Sequence, residues 1–183
     1  MTRTPHSTHV ATRRTFRTEL LAIIPALRGF ARFLARDSAI ADDLVQDTIV
    51  RALDKAESFT PGTNLRAWCF AILRNLFLEQ HRQGCRERIA LEDYGHHPAS
   101  TSESSPHAQT EMQELESLLW QISPLLREAL VLVGAQELTY AEAADICGVE
   151  VGTMKARVSR ARAALKKVMA TQDRKNGPEG AQT

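Results

Sequence analysis

The chain has 183 residues, of which 43% are hydrophobic, 25% charged and 5% aromatic, and its formal net charge is +1. This balance is that of a soluble globular protein with one large domain or two small ones. No apolar stretch has transmembrane length, and the opening MTRTPHSTHVATRRTF lacks the apolar segment of a signal peptide, so membrane insertion and secretion are excluded and the cytoplasm is expected.

Residues 1 to 15 are polar and read as a disordered tail. From Phe16 to Arg36, the residues Leu20, Ile23, Ile24, Leu27, Phe30, Ala31 and Leu34 trace one helical face, with Pro25 kinking the helix or starting its main part. Asp37 and Ser38 end it and offer a cap to a second helix, about Ala39 to Glu57. That helix buries Ala41, Leu44, Val45, Thr48 and Ala52 and shows an acidic face with Asp43, Gln46 and Asp47. The segment SFTPGTN is a loop. A third helix, about Leu65 to Gln83, places Leu65, Trp68, Cys69, Ile72 and Leu76 inward and ends in the basic residues Arg82, Arg86 and Arg88. The spacing of Trp68 with Leu65 and Ile72 makes it a core residue rather than a stacking platform.

Residues 91 to 110, LEDYGHHPASTSESSPHAQT, are rich in Ser, Thr, Pro and His and cannot bury a core, which makes them a flexible linker. Helical periodicity resumes with Leu115, Leu118, Leu119 and Ile122. It continues past the Ser123-Pro124 cap with Leu126, Ala129, Leu130 and Val133. Thr139 and Glu142 then form a capping box over a short helix with Ala143, Ala144 and Ile146. Gly148 supplies a left-handed corner and Val149 plugs it. From Val151 onward, Met154, Val158, Ala161 and Leu165 fall on one face of a last helix. Between Val151 and Gln172 there are six basic residues and no acidic one. Thr153, Lys155, Arg157, Ser159, Arg160 and Arg162 lie on its other faces, as suits a helix entering the major groove. The chain beyond about residue 170 is a second polar tail.

The fold expected is all-α: two small helical domains, residues 16 to 90 and 111 to 170, joined by a flexible linker. Charge is divided unevenly, with 14 basic against 9 acidic residues over 1 to 90, none against 3 over 91 to 110, and 9 against 10 over 111 to 183. Cys69, Cys85 and Cys147 match no disulfide or zinc framework. Cys69 and Cys147 suit buried apolar positions; Cys85 sits among arginines, which can lower a thiol's pKa, but a redox role is not the expectation for it. His96 and His97 have no third ligand in register, so no metal site is expected. No phosphate-binding loop and no nucleophile–base pair is visible, so the chain is not expected to be an enzyme or to use a cofactor or small-molecule substrate.

DDLVQDTIVRAL (42 to 53), NLRAWCFAILRN (64 to 75) and the segment 138 to 167, in this order and spacing, resemble an extracytoplasmic-function sigma factor of the sigma-70 family. The FTPGTNLRAW junction is similar to the branch that runs the general stress response of alphaproteobacteria. The resemblance implies a region-2-like domain and a region-4-like helix-turn-helix domain, with core RNA polymerase (its largest and second-largest subunits) and promoter DNA as partners. It assigns Asp43, Gln46 and Asp47 to gripping a coiled coil of the largest subunit. Asn64, Arg66, Arg74 and Asn75 become contacts to the −10 element, with Arg82, Arg86 and Arg88 on phosphates. Thr153, Lys155, Arg157, Ser159, Arg160 and Arg162 become contacts to the −35 element. A small helical anti-sigma protein wedged between the two domains is the regulator implied. Two competing functions are a plain helix-turn-helix regulator and a sigma mimic that titrates an anti-sigma factor. The first leaves the acidic helix unexplained; the second comes fused to a receiver domain, for which the residues after the last helix leave no room.

Overall fold

Helix α1 spans Pro5–Leu34 and carries the expected face, with Phe16, Leu20, Leu27, Phe30 and Ala31 buried and Ile23, Ile24 and Leu34 half-buried. It begins at Pro5 rather than at Phe16: proline suits a first helical turn, where its missing N–H has no intrahelical partner to lose. The computed structural model describes residues 5–60, 62–92 and 111–176. The expected linker, with His96 and His97, lies outside the described residues from residue 93 on, as do Pro61 and the chain end from residue 177.

Arg36, at φ +24, turns the chain out of α1, and Asp37 caps α2, Ser38–Asp54. The Asp37 carboxylate accepts the N–H groups of Ala39 at 2.8 Å and Ile40 at 3.1 Å, a cap worth about 1 kcal/mol. Helix α2 buries Ala41, Leu44, Val45, Thr48 and Ala52, the set its sequence predicts. The buried Thr48 hydroxyl is satisfied by donating to Leu44 O at 2.7 Å. A 3₁₀ turn, Ala56–Ser58, replaces the expected last turn of this helix. Helix α3, Leu65–Glu92, runs beyond Gln83 and packs on both α1 and α2. Its inner face is Leu65, Cys69, Phe70 and Leu73, with Trp68, Ile72 and Leu76 only half-buried at its edge. The inner face is thus turned by one residue from the expected one, because Phe70 meets Phe30 edge-on at 5.1 Å in the centre of the three-helix core.

The chain divides into two compact units, Met1–Thr101 and Ser102–Thr183. In the second, α4 (Glu111–Trp120) and α5 (Pro124–Leu130) are joined at Ser123, which precedes Pro124 at the first helical position but makes no side-chain cap. Leu119, Ile122 and Ala129 are buried, whereas Leu115 is exposed and Leu118 half-buried. The next two features have no local signal in the sequence. Arg127 is buried with its guanidinium 3.4 Å from the centroid of the Trp120 ring. Helix α5 then widens into a π turn, Val131–Ala135, whose exit uses Glu137 at φ +56 and a bond from Leu138 N to Leu132 O at 3.2 Å. Val131 and Leu132 are buried by this widening.

Helices α6, Tyr140–Cys147, and α7, Val151–Asn176, follow. α7 packs mainly on α5 and also on α6. All described elements are helical, and none of these helices is long and apolar enough to cross a membrane.

Candidate nucleic-acid and polymerase interface

The helix-turn-helix forms from the local signals that its sequence carries. The Thr139 hydroxyl accepts Glu142 N at 3.2 Å, and Glu142 Oε2 accepts the Thr139 N–H at 2.8 Å, so each residue satisfies a donor of the other. Gly148 takes φ +64 and ψ +43, a left-handed conformation that a side chain would strain, and its N–H returns to the end of α6. Val149 N donates to Ala144 O at 3.0 Å, which sets the corner.

Helix α7 then buries Met154, Val158 and Ala161. Val151, expected inward, is exposed at the first position of the helix. Thr153, Lys155, Ser159, Arg160 and Arg162 are exposed, and Arg157 is half-buried at the edge of the face. Two of the cations are held. Lys155 Nζ stands 6.0 Å from the ring centroid of Tyr140, and Arg160 Nε donates to Ala156 O at 3.3 Å. Tyr140 was not a candidate in the sequence reading; its place immediately after the cap Thr139 was the available signal. The outer face of α7 is therefore a row of solvated cations, matched to phosphate and base edges.

In the first unit, Asp43, Gln46 and Asp47 are exposed on α2, opposite its buried residues. Asp47 Oδ2 accepts from Gln80 Nε2 of α3 at 3.3 Å, which orients the carboxylate. The acidic residues share this surface with apolar ones: Ile40 is 51% and Val50 58% exposed. Acid flanked by uncovered apolar side chains is suited to a basic, partly apolar partner.

The loop between the 3₁₀ turn and α3 is closed by local bonds. Thr63 N and Oγ1 both donate to Thr60 O, at 3.2 and 2.7 Å, and Gly62 adopts φ +87. Asn64, a predicted DNA contact, also caps α3: its Oδ1 accepts Ala67 N at 3.1 Å. Arg66 is half-buried, with its guanidinium 5.8 Å from the Phe70 centroid. Arg74 is half-buried, Asn75 exposed, and Arg82 exposed with its Nε donating to Leu78 O at 3.2 Å. Arg86 and Arg88 belong to α3, but their side chains lie outside the described residues, as does that of Cys85. Trp68 is not the core residue its spacing predicts. Half-buried, it faces Phe59 at 5.4 Å and Phe16 at 6.3 Å, at the base of the loop.

Burial pushes the Cys69 thiol up to about 12, so it stays protonated and unreactive at neutral pH. Cys147 is buried as well. Among the described residues, no three His, Cys, Asp or Glu side chains gather as a metal site would require.

Comparison with known proteins accounts for both units. Residues 21–87 match the sigma-70 region 2 family and residues 112–165 the sigma-70 region 4 family. The chain is 47% identical over 151 residues to the ECF RNA polymerase sigma factor EcfG of Rhodopseudomonas palustris, covering 81% of this chain and 82% of that protein. It is 35% identical over 138 residues to the ECF RNA polymerase sigma factor SigC of Mycobacterium tuberculosis, covering 73% of this chain and 74% of the other. Among solved structures it is similar to the sigma factor RpoE of Bartonella quintana in complex with the anti-sigma factor NepR. That likeness has a TM-score of 0.72 and 40% identity, and covers 86% of this chain and 98% of that one.

Proposed function

The chain belongs to the extracytoplasmic-function sigma factors of the sigma-70 family, which direct core RNA polymerase to promoters, and we propose how its surfaces divide that work. Asp43, Gln46 and Asp47 of α2 grip a basic coiled coil of the polymerase, with Ile40 and Val50 adding apolar contact. The loop Phe59–Asn64 and the exposed side of α3, with Asn64, Arg66, Arg74 and Asn75, read the −10 element. Arg82, Arg86 and Arg88 hold its phosphates. Because Asn64 Oδ1 is engaged as a cap, its contribution to DNA falls to the rest of the side chain and its backbone. Thr153, Lys155, Arg157, Ser159, Arg160 and Arg162 of α7 bind the −35 element.

The observation that carries this reading is that one chain exposes two working faces of opposite sign. The acidic one lies on α2 and the cationic one on α7, each backed by a buried apolar row. A regulator that only bound DNA would need the second alone. Two modest contacts joined through one chain bind a correctly spaced promoter far better than either by itself. The resemblance of the FTPGTNLRAW junction to the general stress response branch supports stress-response promoters as the targets, and the likeness to RpoE bound to the anti-sigma factor NepR supports an anti-sigma protein as the regulator. The protein acts in the cytoplasm, where the polymerase is, and performs no chemistry of its own.

Reconstitution with core polymerase on a stress-type promoter tests the division. Asp43→Ala/Asp47→Ala is expected to reduce specific transcripts through weakened core binding, and Arg157→Ala/Arg160→Ala through weakened promoter binding. A protein that binds duplex DNA but not core polymerase would sink the assignment of the first unit.

A further inference from the structure

We propose that Phe16, on the first helix, is a positioning residue for promoter opening: it sets the −10 loop by backing Phe59 against Trp68. The proposal rests on the reading of Phe59–Asn64 as the segment that captures an unstacked base.

Three rings from three elements meet at the base of this loop. The Phe16 centroid lies 5.7 Å from that of Phe59, with the planes at 52°, and 6.3 Å from that of Trp68, edge-on at 70°. Phe59 and Trp68 are 5.4 Å apart and tilted by 53°. Each distance and angle falls in the range in which aromatic pairs attract beyond their area burial. Burial is graded across the triad: Phe16 is only 9% exposed, while Phe59 and Trp68 are half-buried. Phe16 is therefore the inner ring, and Phe59 and Trp68 border the solvent next to the loop.

Phe59 N donates to Ala56 O at 3.3 Å and Thr63 donates to Thr60 O, contacts that close short turns within the loop. Gly62 at φ +87 and the Asn64 cap shape its far end where α3 begins. The near end is anchored by the Phe59 ring, and the ring that anchors Phe59 from α1 is Phe16. Capture of a base requires the pocket to be held in place beforehand, since unstacking already costs a few kcal/mol and a loop that must also be ordered adds to that. Phe16 touches no DNA in this account. It acts through Phe59, and its effect appears in melting rather than in docking.

The test uses the full-length protein assembled with core polymerase on a duplex promoter, with permanganate reactivity of unpaired thymines as the measure of melting. Phe16→Leu keeps apolar bulk but removes the ring; it is expected to lower melting about five- to tenfold while core affinity and −35 duplex binding stay within about twofold. Phe16→Tyr, which keeps the ring, should restore melting to within about twofold. Phe59→Ala should be at least as defective as Phe16→Leu, and the double variant no worse than Phe59→Ala alone, since both act through one contact. Unchanged melting in Phe16→Leu, additive defects in the double variant, or an equal loss of core binding would each overturn the proposal and leave Phe16 as ordinary packing. Melting untouched by Phe59→Ala and by Asn75→Ala would remove the −10 reading of the loop itself, a different failure from that of Phe16.

Discussion

Aromatic rings are used differently in the two units. In the first, Phe30 packs edge-on against Phe70, and Phe16, Phe59 and Trp68 form a three-way contact. In the second, the ring contacts described are to cations: Arg127 over Trp120 at 3.4 Å and Lys155 near Tyr140 at 6.0 Å. Ring on ring builds a shaped apolar surface, which is what a loop that accommodates a base requires. A ring beneath a cation narrows where a long, mobile charge can go, which is what a face that meets phosphate and base edges requires. The first unit also sets a cation by a ring, Arg66 at 5.8 Å from the Phe70 centroid, so the difference lies in the ring-on-ring clusters that the first unit adds.

The largest expected effect breaks that comparison at its core. Phe70→Ala removes a fully buried ring and should cost the first unit about 3–5 kcal/mol. Circular dichroism should show an early melting step, while gel shifts on a −35 duplex stay within about twofold. Loss of both together would mean that the second unit does not stand without the first. Next in size, Asp43→Lys/Asp47→Lys reverses the acidic face of α2 and is expected to weaken core binding by about 2 kcal/mol, roughly thirtyfold, read by competition against another sigma factor. Binding to duplex −35 DNA should be unaffected.

A smaller effect sharpens the contrast from the other side. Thr139→Ala removes a helix cap beside Tyr140 and should destabilise the second unit by about 1 kcal/mol. The thermal midpoint of that unit falls by about 4–8 °C for a domain of this size, with the first unit's transition unmoved. The smallest effect at ordinary pH belongs to Cys69. Its folded pKa is raised to about 12 from 9.0, so between these values the native state retains a proton that the unfolded chain has released. Stability of the first unit is therefore unaffected below pH 9 and declines as pH rises toward 12. Denaturant titrations of Cys69→Ala against the parent protein should show a shallower decline in the variant.

What could be read from the sequence was what neighbouring residues decide. The Thr139–Glu142 capping box, the left-handed Gly148, the Asp37 cap and the buried face of α2 each depend on residues a few positions apart, and each formed as expected. The row Met154, Val158 and Ala161 formed for the same reason. What periodicity missed depends on distant partners. The inner face of α3 is set by Phe30 across the core, which draws Phe70 and Leu73 inward and leaves Trp68 and Leu76 at the edge. The contact of Phe16 with Phe59 joins residues that no local pattern connects. The cap that Asn64 makes was open to the sequence, because the first turn of any helix leaves N–H groups unsatisfied. Arg127, on which no local pattern bears, is buried on Trp120.

The π turn Val131–Ala135 gives the second unit a place where chain length is negotiable. Such a turn holds one residue more than an α-helix would over the same rise. Deleting Gly134 is expected to let that stretch close as ordinary α-helix instead of tearing the fold. The deletion should be tolerated there far better than a deletion of Ala129 one turn earlier, measured as soluble yield and helicity. In a lineage that gains and loses single codons, this segment can absorb a frame-preserving change without moving the helix-turn-helix signals downstream of it.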